Sequence, residues 1–263
     1  MELLPEDLEE LRHAKQRLEN PKLVARLTNL LGGPIEKAIE FLPNAASDQL
    51  MKVTHKALQK ASEVAIATLK PVPHTKASSR LHKFSVALSG GVGGFFGLAA
   101  LAVELPISTT IMLRSIADIA RSYGEDLTDL KTQLACLEVF ALGGRSQADD
   151  GSESGYFMVR AGLAKTAADA ASHLAEHGIH SASAPIFVKF LTKIAEAFNI
   201  QVTQKLAAQA VPAVGAAGGA LINTLFIDHF QDMARGHFAI RHLERKYSID
   251  YIKAAYDAIR IPK

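Results

Sequence analysis

The chain has 263 residues, 48% of them apolar and 21% charged, with 29 Lys plus Arg set against 27 Asp plus Glu. The apolar fraction excludes a disordered chain, the lone cysteine Cys136 excludes a disulfide scaffold, and the near balance of charge excludes an electrostatic footprint for nucleic acid. Eight of the 18 glycines crowd into Gly90–Gly97 and Gly215–Gly219, without the period of a fibre.

The acidic start lacks a basic region followed by an apolar core, so no secretory signal is expected, and with one cysteine this points to the cytoplasm. Pro5, Pro21, Pro34, Pro43, Pro71 and Pro73 cut residues 1–75 into short helices and one longer one, Ala45–Leu69. Ile107–Tyr123 reads as a helix following Pro106. Leu127, Leu130, Leu134, Leu137 and Ala141 form a helical stripe behind Glu125, Asp126 and Asp129, and Gly143-Gly144 stops it. Residues 143–155 have linker composition. Phe187, Phe190, Leu191, Ile194 and Phe198 form a second stripe, and Phe226, Phe230, Met233, His237, Ile240 and Tyr247 a third. Arg241–Lys246 places cations at the negative end of that helix. No run alternates as a strand would. The expectation is an all-α single domain of ten or so helices, built around two central Gly/Ala-rich apolar helices. Residues 1–75 form an N-terminal helical region that joins 76–263 in one compact unit.

Two stretches carry no charge: Phe84–Val103 and Leu206–Ile227. Each is long enough to span a bilayer, and Gly90/Gly94, Gly93/Gly97 and Gly215/Gly219 have the small-residue spacing that lets helices approach closely. Three placements are open: a buried hairpin of a soluble protein, reversible association with a membrane, and a true span. The small residues, the interruption by Gln209 and Pro212, and basic flanks before both stretches favour the first over the last. Glu104 lies where the first stretch ends and needs a partner if buried. Arg114, Asp118 and Arg121 read either as a surface ion-pair ladder or, for Arg114, as that partner at the mouth of a glycine-lined cavity.

Most motifs of chemistry fail on inspection. SGGVGGFFG lacks the Lys-Ser/Thr and the strand context of a phosphate loop, and Gly151–Gly155 has Glu153 where a nucleophile elbow needs serine. Cys136 reads as a buried structural thiol. His173, Glu176 and His177 fit H-x-x-E-H, with His180 one turn on, the pattern of a zinc hydrolase in which glutamate serves as base. Gly178 gives the bland alternative of a helix cap with histidine at the negative end. Asp228, His229 and Asp232 share a helix face, while His237 reads as a hydrogen-bonded core histidine and Asn223 as needing an internal partner.

SGGVGGFFGLAALAVELPISTTIMLRSIADIARSYGED, then GYFMVRAGLA, then AAQAVPAVGAAGGALINTLFIDHFQDMARGHFAIRHLERKY together resemble the EcsC family, over about Lys83 to Tyr256. Ser248 stands where that family's pattern would put glycine after Tyr247. The resemblance implies membrane association and an ABC transporter as possible partner, with no catalytic residues to carry over. The expected function is therefore non-enzymatic and without cofactor, in a transport or envelope process. An acyl chain or other apolar ligand would lie between the glycine-rich segments, against Gly90, Gly94, Gly97, Gly215 and Gly219. Its head would meet Glu104, Arg114, Asn223, Asp228, His229, Asp232 or His237. The expected place is cytoplasmic, at most peripheral to the inner face of the cell membrane. The alternative is a metal-dependent hydrolase using the His173 or the His229 cluster.

Overall fold

The structure is a computed structural model and describes residues 3–19, 23–40, 42, 46–68, 94–144, 155–177, 184–211 and 215–261, with backbone alone at 46, 64–68, 94–99 and 215–217. Gly90, His180, Gly178 and most of the 143–155 linker lie outside the described residues. Among those described there are ten α-helices and no strand. They are α1 Pro5–Glu19, α2 Leu23–Leu31, α3 Ile35–Glu40, α4 Ala46–Thr68, α5 Gly94–Ser122, α6 Leu130–Glu138, α7 Gly155–His177, α8 Pro185–Ala210, α9 Gly215–Lys246 and α10 Ile249–Ala258. A 3-10 turn, Val139–Ala141, follows α6.

Helix α9 is the organising element. Its 32 residues extend about 48 Å, and it touches α1, α2, α5, α8, α10 and the 3-10 turn. The apolar stripes read from sequence are buried in the core: Phe187, Phe190, Leu191, Ile194 and Phe198 from α8 and Phe226, Phe230, Met233 and Ile240 from α9, with Phe198 against Phe226 and Phe230. Phe140 closes the cluster, with ring centroids 5.0 Å from Phe198 and 5.2 Å from Phe230. Helix α1 crosses α9 where Leu18 faces Gly236; a Cβ on Gly236 would stand 2.6 Å from Leu18 Cγ, so only glycine permits this approach.

Two segmentations differ from the sequence reading. Helix α5 continues through Pro106 instead of restarting at Ile107. Proline removes one N–H from the ladder, and burial of Leu101, Leu105, Met112 and Ile116 on both sides outweighs that loss. The stripe at Leu127–Ala141 becomes a turn, a short helix capped by Asp129, and the 3-10 turn; Asp129 accepts from Lys131 N and fixes the later start.

The second uncharged stretch is shared between two helices, the end of α8 and the first turns of α9, with Val211 past the last turn of α8. Gly219 does not sit at a close helix contact, since a Cβ there would meet nothing within 4 Å. One helix among the described residues, Ala100–Ser122 within α5, is long and apolar enough to cross a membrane, and 44% of its apolar window is buried in the bundle.

Between α9 and α10 stands Ser248, with φ 150° and ψ 160°, a region that glycine occupies freely and other residues enter under strain. Its hydroxyl also caps α10 by accepting from Tyr251 N at 3.3 Å. Ser248→Gly exchanges strain of about 1–3 kcal/mol for a cap worth a few tenths and some backbone entropy. The variant is expected to be more stable by about 1 kcal/mol in urea unfolding, and a lowered midpoint would count against the strain.

Candidate functional site

The N-terminal turns of α5, the last turns of α8 and the first turns of α9 lie at one end of the bundle. Gln209 Nε2 donates to Asn223 Oδ1 at 3.4 Å across the α8–α9 corner. Lys205 Nζ donates to Glu104 Oε1 at 2.8 Å and to Oε2 at 2.9 Å, tying α8 to α5. Both groups are buried, Lys205 is 1% exposed, and its ammonium lies 4.8 Å from the Phe226 ring centroid. Glu104 closes the first uncharged stretch and Lys205 opens the second, and each satisfies the other. Arg114 is exposed and is not the partner of Glu104; Arg121 takes Asp118 at 2.9 Å.

Large apolar side chains are exposed on these helices: Val103 is 59% exposed, Leu221 44%, Ile200 43% and Ile107 39%. The same helix segments carry the neutral polar side chains of Thr110, Thr203, Gln204 and Thr224. Gly94, Gly97, Gly215 and Gly219 are in the helices that build this end.

The remaining sequence-derived candidates separate. Asp228 is half-buried. Asp232 pairs with Arg235 at 3.2 Å, and Gln231 donates to Ser115 at 2.9 Å. His229 is buried with Nε2 unpartnered; burial, then the nearby Arg26 charge, push its pKa down to about 4, so it is a neutral imidazole at pH 7. His237 is farther along α9, fully buried, with Nδ1 3.1 Å from the Tyr156 hydroxyl. Burial holds its pKa well below the ordinary value.

The residues that organise the other end were read from sequence as helix-terminal charges or as motif positions, and their pairing was not. Arg160 grips Glu244 through two bonds, 2.7 and 3.1 Å, and donates to Tyr156 at 3.3 Å. Arg241 grips Glu125 at 2.8 and 3.0 Å, Arg245 joins it, and Thr132 donates to the same carboxylate at 3.0 Å. Burial raises the Glu125 pKa, but the two arginines outweigh it and the carboxyl titrates below its ordinary range. The basic run at the end of α9 is thus a set of ion-pair partners as well as a dipole cap. Lys205 was legible: continuing the Phe190–Ile194–Phe198 spacing through Gln201 and Val202 places it on the buried face.

His173 and His177 stack with ring centroids 4.4 Å apart, and Glu176 is exposed. Among the described residues no three His, Cys, Asp or Glu side chains converge as a metal site would require. The cluster is a helix terminus, with His177 Nδ1 3.2 Å from the His173 carbonyl oxygen.

The model of the EcsC protein family matches residues 5–243, from α1 almost to the end of α9. The chain belongs to the EcsC family. No curated protein and no solved structure matches it. The EcsC match includes the N-terminal helices, which the resemblance read from sequence did not reach.

Two measurements test this geometry. Lys205→Ala strands the Glu104 charge and is expected to cost about 3–5 kcal/mol in urea unfolding, whereas Lys205→Met with Glu104→Met is expected to lie near the parent; equal costs for both would show that the pair is not desolvated. His229 binds a proton near pH 6.5 when unfolded and near pH 4 when folded, so the unfolded state holds more protons between those values. Stability is therefore full above pH 6.5 and is lost as pH falls toward 4, by roughly 3 kcal/mol for this residue. His229→Gln should flatten that part of the pH–stability curve.

Proposed function

We propose that this EcsC-family protein is a non-enzymatic, lipid-associating protein. It takes acyl chains against the uncharged end formed by α5, α8 and α9, at the cytoplasmic face of a membrane, in a transport or envelope process. The observation that carries this reading is the Glu104–Lys205 pair. Among the described residues, Glu104 and Lys205 neutralise each other inside that end, and Val103, Ile107, Ile200 and Leu221 are exposed apolar side chains on the helices that build it. Exposed apolar groups clustered in this way mark an interaction surface. Acyl chains suit it because they ask for no charge and no hydrogen bond.

Sequence outside the described residues supports a lipid in particular. Residues 69–93, which lead into α5 at Gly94, contain Lys70, Lys76, Arg80 and Lys83 and no Asp or Glu. Cations and apolar residues near each other in sequence offer the two attractions that hold peripheral proteins to anionic bilayers, about 1 kcal/mol per basic residue that reaches the surface.

The chain has no tryptophan, so a single introduced one reports without background. Leu221→Trp is expected to shift its emission to the blue on adding phosphatidylcholine vesicles containing phosphatidylglycerol, while Tyr251→Trp on α10 stays unchanged. An unchanged spectrum for Leu221→Trp with vesicles of either lipid would sink the proposal.

A further inference from the structure

Two buried side-chain atoms without hydrogen-bond partners border the same corner of the chain. They are His229 Nε2 on α9 and Gln201 Oε1 on α8. Gln201 Nε2 donates to the Leu142 carbonyl at 3.1 Å. The next residue, Gly143, has φ +76°, and a Cβ there would stand 2.9 Å from His229 Nε2. A Cβ on Gly144 would stand 3.4 Å from Gln201 Nε2 and 3.8 Å from Ile200 Cδ1. The two glycines are half-buried and Ile200 is exposed, so the corner reaches the surface while the two polar atoms lie behind it.

Each unpartnered atom costs the fold about 1–3 kcal/mol. Their chemistry limits what can satisfy both. Gln201 Oε1 only accepts, so it needs a donor; Nε2 of a neutral imidazole donates or accepts according to its tautomer, so it needs a group that can do either. A hydroxyl is both. A carboxylate has no proton for Gln201, and a quaternary ammonium offers nothing to His229. Lys205, the nearest cation on α8, is already held by Glu104. From Ile200 to Ala210, α8 runs from this corner to the uncharged end, and its one charge, Lys205, is turned inward.

We infer that the Leu142–Gly144 corner, with Gln201 and His229, is the head-group subsite for a neutral, hydroxyl-bearing amphiphile, whose tail lies along α8 toward the first turns of α9. This rests on the lipid-associating reading above and adds the chemical class of the head. Long-chain alcohols and monoacylglycerols have that chemistry.

The test uses the full chain carrying Leu221→Trp, titrated below micellar concentration with 1-decanol, decanoate and decyltrimethylammonium. Decanol is expected to bind about tenfold more tightly than either charged probe, the value of one neutral hydrogen bond network gained. Gln201→Met and, separately, His229→Leu should each lower decanol affinity to that of decanoate and leave decanoate unchanged, with circular dichroism confirming the fold. Equal binding of the three probes, or an alcohol preference that survives both variants, overturns the subsite and leaves lipid association standing; a trapped water at the corner would give that result. Binding of none, together with silence toward vesicles, overturns both.

Discussion

A buried ion must meet an opposite charge or the fold loses several kcal/mol, and α9 is placed so that this constraint acts along most of its length. Lys205 of α8 lies over Phe226 of α9 and holds Glu104 of α5. Farther along, Arg241 holds Glu125 from the α5–α6 connection, Glu244 holds Arg160 of α7, and Lys246 holds Asp7 of α1. Each partner comes from a different part of the chain. Apolar contact alone tolerates sliding, because one buried leucine serves much like another; a bidentate Arg–Glu pair fixes both rotation and translation of its helices. The register of the bundle therefore depends on these pairs as much as on its aromatic core.

The same constraint shapes the functional end. With Glu104 and Lys205 closed on each other, neither charge hydrates the neighbouring surface, and Val103, Ile107, Ile200 and Leu221 stay exposed on these helices. Among the described residues, the buried polar atoms that remain unpaired in that half of the bundle include those on Thr109, Gln201 and His229, and all three groups are neutral. An apolar track ending at neutral hydrogen-bonding groups is the arrangement that an uncharged amphiphile would match.

Close approach of backbones is achieved away from the glycine-rich runs. Gly236 lets α1 seat Leu18 against α9, and Gly143 lets the corner after α6 pack on His229 and Met233. Gly219, in the run that drew attention by composition, faces open space. Helical spacing of small residues is a permissive feature: it allows contact without dictating that a partner be there. Ser248 shows the converse, since a backbone that asks for glycine has serine and bears the strain, partly offset by its cap on α10.

By itself the sequence determined the all-α class, the apolar faces of α8 and α9, the long helix ending near Thr68, and His237 as a hydrogen-bonded core residue, because these follow from helical periodicity and from local breakers. The resemblance to the EcsC family was legible for the same kind of reason, as ordered motifs along one chain. Only the tertiary structure decided that Glu104 pairs with Lys205 instead of Arg114, that α5 continues through Pro106, that the second uncharged stretch is shared between two helices, and that Gln201 and His229 both border the Leu142–Gly144 corner. Those outcomes turn on which groups, a hundred residues apart, compete for the same buried space. Periodicity ranks the faces of each helix; it says nothing about which face of which neighbour will satisfy a buried charge.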